Sequence, residues 1–155
     1  MLRRWTAVLG LLVTPAVYAQ GIITTIAGTD WLFPANNKPA HSAPLGRVAG
    51  IAFDRSGNLL IADPDNAQVF KVDSNGVLTV FAGNGFRGYS GDSGAATAAS
   101  LDSPTSVAVD QAGNVYIADA ANNHIRKVTP SGIISTIAGT GAYDDSGDGG
   151  LAART

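Results

Sequence analysis

The chain of 155 residues is 45% apolar and only 14% charged, which excludes intrinsic disorder, because such a composition can bury enough surface to fold. It has no cysteine, which excludes a disulfide scaffold and any thiolate-held zinc or iron–sulfur centre. A formal net charge of −2 leaves no basic footprint for nucleic acid, and all 12 acidic residues are aspartate, so turn formers outweigh helix formers and the bias is all-β.

At the start of the chain, Arg3 and Arg4 precede an apolar run over 6–17. Val17, Tyr18 and Ala19 then put a β-branched and a small residue at the −3 and −1 positions of a cut before Gln20. Charged, apolar and small-residue regions in this order predict a signal peptide over 1–19, and with it a secreted or periplasmic location. The run 6–18 contains Thr14 and Pro15 and is well short of the roughly 20 residues that span a bilayer, so no membrane span is expected after cleavage.

The rest of the chain, 20–155, repeats itself. The stretch "APLGRVAGIAFDRSGNLLIADPDNAQVFKVDSNGVLTVFAG" (43–83) aligns without a gap on "ASLDSPTSVAVDQAGNVYIADAANNHIRKVTPSGIISTIAG" (99–139), an offset of 56. Upstream, "ITTIAGT" (23–29) matches "ISTIAGT" (134–140), which predicts an outer strand over 22–28 belonging to a preceding unit. Two units follow, 45–83 and 101–139, and 140–155 begins another inter-unit linker. In the second unit four short β patterns cover 105–109, 115–119, 124–128 and 133–138. The connections "DRSG" (54–57), "DSNG" (73–76), "DQAG" (110–113) and "TPSG" (129–132) end in glycine, and three begin with aspartate, as type I turns prefer. Short spacings make neighbouring strands antiparallel hairpins, and four-stranded units of this period predict the blades of a β-propeller. Asp63 and Asp119 close the second strand of each unit, three residues before Asn66 and Asn122, where an Asx side chain can bond the backbone of a tight connection.

The pattern D-x-x-G-N-x-x-I-A-D-x-x-N-x-x-[VI]-x-K-V resembles the NHL repeat. Asp54, Gly57, Asn58, Asp63, Asn66 and Lys71 carry it in the first unit, and Asp110, Gly113, Asn114, Asp119, Asn122 and Lys127 in the second. The form with "IAGTG…DGG" between units is similar to repeats of secreted bacterial NHL proteins. The resemblance implies a propeller, most often six-bladed, in a family of binding modules, receptor sensor domains and some enzymes. It therefore leaves the chemistry open. By this reading the chain is a partial propeller: about two complete blades and one outer strand. The first unit departs from the pattern at Gly46-Arg47-Val48, where the second has Asp102-Ser103-Pro104.

The candidate chemistry is sparse. Asp144, Ser146 and Asp148 alternate before Gly149 like the first half of a calcium loop, but Thr155 stands where the bidentate glutamate belongs, so a turn is the simpler account and no metal or other cofactor is expected. His124, opposite Gln68 in the repeat, and His41, in a linker, have no glutamate partner and form neither a metal triad nor a base pair. "GYSGD" (88–92) lacks the fifth-position glycine and the strand-to-helix setting of a nucleophile elbow. The long linkers 29–44 and 84–100 carry Trp31, Phe33, Phe86, Arg87 and Tyr89, side chains that commonly anchor a ligand, though they could equally cover blade edges. The expected function is an exported binding or scaffold module for a protein or carbohydrate ligand, without a catalytic site. The alternative is a fragment of a lactonase- or lyase-like propeller enzyme. Self-association is a further expectation, since three two-bladed chains would complete a six-bladed ring.

Overall fold

In the computed structural model the chain divides into two compact units, Met1–Asp30 and Trp31–Thr155. The structure describes residues 38–143, all in the second unit. The leader 1–19, the strand 22–28, Trp31, Phe33 and the Asp144, Ser146, Asp148 loop lie outside the described residues.

The described residues form an all-β structure of two antiparallel sheets, and no α-helix occurs among them. The strands are β1 (Lys38–Pro39), β2 (Gly50–Phe53), β3 (Leu59–Asp63), β4 (Gln68–Val72), β5 (Val77–Ala82), β6 (Pro104–Val109), β7 (Val115–Asp119), β8 (His124–Val128) and β9 (Ile134–Ala138). The first sheet has the order β1-β5-β4-β3-β2 and the second β6-β7-β8-β9. Strands β2 to β5 and β6 to β9 correspond in order at the sequence offset of 56. Ile61 pairs with Phe70 as Ile117 pairs with Arg126, and a β-bulge at Val69/Phe70 recurs at Ile125/Arg126.

The hairpin turns follow from their aspartates. Asp54 N–H donates to Asn58 O at 2.9 Å and Gly57 N–H to Asp54 O at 3.0 Å, a type I turn closed by a residue in the left-handed region. Gly57 holds that position at φ +78°, where an L side chain is strained, and Gly113 repeats it at φ +84°. The Asp110 carboxylate accepts from Asn114 N at 2.8 Å and Asn114 Nδ2 at 2.7 Å, so the side chain fastens the turn its backbone begins.

One element lies inside what the sequence reads as linker. β1 pairs with β5 through Lys38↔Leu78 and Pro39↔Val77, and the bridge Ala95↔Ile133 is its copy in the second unit. Each is followed by a 3-10 turn, Ala40–Ser42 or Ala96–Ala98, docked by an N–H···O bond of 2.8 Å from Ala40 to Gly76 and from Ala96 to Gly132. The strap covers part of an outer edge that would otherwise present unpaired backbone groups.

The main core lies between the sheets. Leu60, Ala62, Val69 and Ala82 of the first meet Val107, Val115, Ile117, Val128 and Ile134 of the second, and Ala96 and Ala99 from the linker with Leu101 at the start of the second unit complete the cluster. Fully burying each larger side chain contributes about 1.5–3 kcal/mol. The closest approach is at the inner strands: β6 packs on β2 and β3, and a Cβ on Gly50 would stand 2.8 Å from Thr105 O.

Candidate functional site

The linker after β5 leaves the first sheet and crosses to β6 as a pinned loop. Asn84 holds it: its N–H donates to Ala99 O at 2.8 Å, its Nδ2 to Ser100 Oγ at 3.0 Å and Ala98 O at 3.2 Å, and its Oδ1 accepts from Phe86 N at 2.9 Å. Asn122 Nδ2 reaches Gly88 O at 2.8 Å from the end of the second sheet. Phe86 is thereby presented to solvent, 61% exposed, on a backbone with little freedom. Arg87 turns to the start of β6, where Nη1 donates to Asp102 Oδ1 and Ser103 Oγ, both at 2.9 Å. That ion pair is half exposed and contributes at most about 1 kcal/mol.

Tyr89 turns the other way, onto β8 and β9. Its ring stacks on His124 with centroids 4.3 Å apart and planes at 12°, and the Arg126 guanidinium carbon lies 4.8 Å from the ring centre. The Tyr89 hydroxyl is 2.9 Å from Thr136 Oγ1 and 3.3 Å from Asp92 Oδ2. Phe86, Arg87 and Tyr89 are thus three side chains of one loop with different destinations, not one patch.

Below Tyr89 lies the group that reading the sequence missed. Arg126 is fully buried; its Nη2 donates to Asp92 Oδ1 at 2.8 Å and Ser90 O at 2.9 Å, and its Nη1 lies 3.4 Å from Asp119 Oδ2. Its Nε has no hydrogen-bond partner. Burial pushes the Asp119 carboxyl above its usual range, against the pull of Asn122 Nδ2, the Asp102 N–H at 2.7 Å and Arg126. Asp92 is held below its usual range: burial raises it, but hydrogen bonds from Thr136 and the Arg126 charge outweigh that. The available signal was the repeat itself, which sets Arg126 opposite Phe70 at a buried strand position.

Asp63 closes the first unit in the same manner, with a different clientele. Its Oδ2 accepts from Gly46 N at 2.7 Å and Asn66 Nδ2 at 2.8 Å, and its Oδ1 from Asp65 N and Asn66 N at 3.1 Å. Gly46 is where the first unit departs from the repeat pattern, and a Cβ there would meet Asp63 Oδ1 at 2.8 Å. Both aspartates clamp the start of the inner strand to the end of the second strand.

An open recess of about 810 Å³ lies beside the Tyr89–His124 stack, floored by Thr136 and bordered by Asn122 and the 139–141 turn. Aromatic, amide and hydroxyl side chains and the glycine backbone line it. Among the described residues no three His, Cys, Asp or Glu side chains converge as a metal site. Among the same residues no helix is long and apolar enough to cross a membrane.

Comparison with known proteins agrees with the repeat. The Teneurin NHL domain family matches residues 85–148. Mouse Teneurin-4 is 33% identical over 121 residues, covering 70% of this chain and 4% of that protein, and mouse Teneurin-1 is 30% identical over 106 residues, covering 60% and 4%. The chain therefore spans a small fraction of the length of these curated relatives. Among solved structures, a Bacteroides thetaiotaomicron protein of unknown function matches with a TM-score of 0.53 and 27% identity, over 58% of this chain and 23% of that one. A virginiamycin B lyase from Staphylococcus aureus matches with a TM-score of 0.45 and 17% identity, over 64% of this chain and 29% of that one. The two four-stranded repeats in register, with the Teneurin NHL domain match over 85–148 and the teneurin relatives, show a chain of NHL-type repeats folded as part of a β-propeller.

Proposed function

We propose that the protein is an exported NHL-repeat scaffold that binds a protein or carbohydrate ligand through the 84–92 loop and has no catalytic site of its own. The observation that carries this reading is Phe86, a large apolar side chain 61% exposed on a loop fastened by Asn84, Asn122 and Arg87. An exposed aromatic ring on a preorganised backbone binds at low entropic cost, because little freedom remains to be lost. The recess beside Tyr89 adds hydroxyl, amide and backbone groups suited to a polar ligand edge.

An amide-resolved NMR titration with soluble oligosaccharides and peptides tests the binding half. Perturbations centred on 84–92 and 122–141, lost in Phe86→Ala, support it; a ligand that perturbs only other strands defeats it. A reporter enzyme active only outside the cytoplasm, fused after residue 30, tests export, and a signal that persists when Arg3, Arg4 and the run 6–17 are deleted argues against it.

A further inference from the structure

An asparagine followed by glycine loses its side-chain amide readily, because no Cβ on the next residue hinders closure of a five-membered ring. The chain has two such pairs, Asn75–Gly76 and Asn84–Gly85, and the fold treats them in opposite ways. Asn84 is fastened through its main chain and both ends of its side-chain amide. Its N–H donates to Ala99 O, its Nδ2 to Ser100 Oγ and Ala98 O, and its Oδ1 accepts from Phe86 N. Asn75 lies at the tip of the β4–β5 hairpin, exposed together with Ser74 and Gly76. No atom stands within 4 Å of the place a Gly76 Cβ would take, so ring closure there meets no neighbour. The Gly76 N–H donates to Asp73 O at 2.9 Å, a bond within the exposed turn that local opening breaks. The same turn carries two other structures. Hydrogen bonds hold the Asp73 carboxyl below its usual range, the Val77 N–H first and the Asn75 N–H and side chain after it. The strap docks here as well: Ala40 N–H donates to Gly76 O at 2.8 Å, and Pro39 pairs with Val77.

We propose that Asn75 is a site of spontaneous deamidation in the folded protein, and that its product loosens the strap on the outer edge of the first sheet. Gly76 N attacks Asn75 Cγ and gives up its proton, and Nδ2 leaves as ammonia. Water then opens the resulting succinimide at one of its two carbonyls. One opening leaves aspartate; the other leaves isoaspartate, with the main chain rerouted through Cβ and Cγ. Either product replaces an amide beside Asp73 by a second carboxylate, and like charges so placed repel. Isoaspartate also lengthens the main chain by one carbon between Asp73 and Gly76, which carries the Gly76 carbonyl away from Ala40. The second unit has no such reaction at this place. Ser131 stands at the Asn75 position, before Gly132, whose carbonyl receives Ala96 N–H as Gly76 receives Ala40. The modification therefore acts on one strap and leaves its copy intact.

Peptide mapping of the folded full chain through incubation in mildly alkaline buffer tests this, with electron-transfer fragmentation to separate isoaspartate from aspartate. Asn75 is expected to convert at least about tenfold faster than Asn84, whose loop must first be freed at several pinned points. In urea, where the fold holds neither pair, the two rates should converge. Asn75→Ser installs the residue of the other unit, keeps the turn and should abolish the early conversion. Hydrogen exchange at Ala40 should be faster in converted than in fresh protein, and unchanged in Asn75→Ser protein incubated alongside. An Asn84 that converts as fast as Asn75 in the folded chain overturns the inference. So does an Asn75 that keeps its amide while the urea-unfolded chain loses it. Converted protein with unaltered exchange at Ala40 overturns the link to the strap.

Discussion

Arg126 in the second sheet occupies the place that Phe70 holds in the first. Each pairs in register with an isoleucine, Ile117 or Ile61, and each is fully buried. One repeat position has thus been solved twice, by an apolar phenyl ring and by a guanidinium that must be surrounded by oxygen. Asp92, Ser90 and Asp119 supply that oxygen, and the Tyr89 ring covers the cation from above.

Arg126→Ala should therefore cost much more than its apolar contacts, because it strands the fully buried Asp119 carboxylate. A loss of about 3 kcal/mol or more in urea unfolding is expected. Asp92 is partly exposed, and Asp92→Asn should cost only about 1 kcal/mol. Equal losses for the two variants would mean that Asp119 does not depend on Arg126 for its charge.

The Asp63 clamp predicts a local signature. Asp63→Ala removes the acceptor for Gly46 N, Asp65 N, Asn66 N and Asn66 Nδ2 together. Charged hydrogen bonds contribute about 1.5–3 kcal/mol each at most, and the four share one carboxylate, so a total near 3 kcal/mol is expected. Hydrogen exchange should accelerate first at Gly46 and Asn66. Unchanged exchange at Gly46 would show that the clamp is not what holds the start of the inner strand.

The fold is legible in the sequence because its signals are local and repeated. Glycine at the fourth position of the Asp54 turn, repeated at the Asp110 turn, needs no knowledge of the rest of the chain. Strand β1 is illegible for the opposite reason. Two residues carry no periodicity, and Lys38–Pro39 shares none of its side chains with the Gly94–Ala95 segment that does the same work. The Arg126 cluster is illegible from any single unit, since its partners come from a linker 34 residues earlier and from a neighbouring strand. Only the substitution of arginine for Phe70 along the repeat marks it.

Gly50 sets how closely the sheets meet. A Cβ there would lie 2.8 Å from Thr105 O and 2.9 Å from Ser106 Cα, and both obstacles are backbone. Neither can swing aside, so Gly50→Val must push β6 away from β2 and loosen Ala52 and Val107 as well. Overpacking of this kind costs about 1–3 kcal/mol. A thermal midpoint within a degree of the wild type would show that the sheets slide freely past each other.

Acid should weaken the protein through its turns. Asp110 is pulled down to about 2 by the Asn114 amide, the Asn114 N–H and the Tyr116 hydroxyl, and hydrogen bonds led by the Val77 N–H hold Asp73 below its usual range too. Unfolded, these carboxyls titrate near 3.9. Between about pH 4 and pH 2 the unfolded chain therefore binds more protons than the folded one, and stability falls as pH falls. Asp119 acts with the opposite sign, because its folded carboxyl is raised by burial. It binds its proton more tightly when folded, so it favours the folded state as pH drops toward the unfolded value and disfavours it above. The turns outnumber it, and a net loss of stability on acidification is expected. Asp110→Asn should flatten the slope of unfolding free energy against pH in that window, and carboxyl NMR should place the Asp110 midpoint near 2. A midpoint near 4 with an unchanged slope would show that the turn does not hold its aspartate ionised.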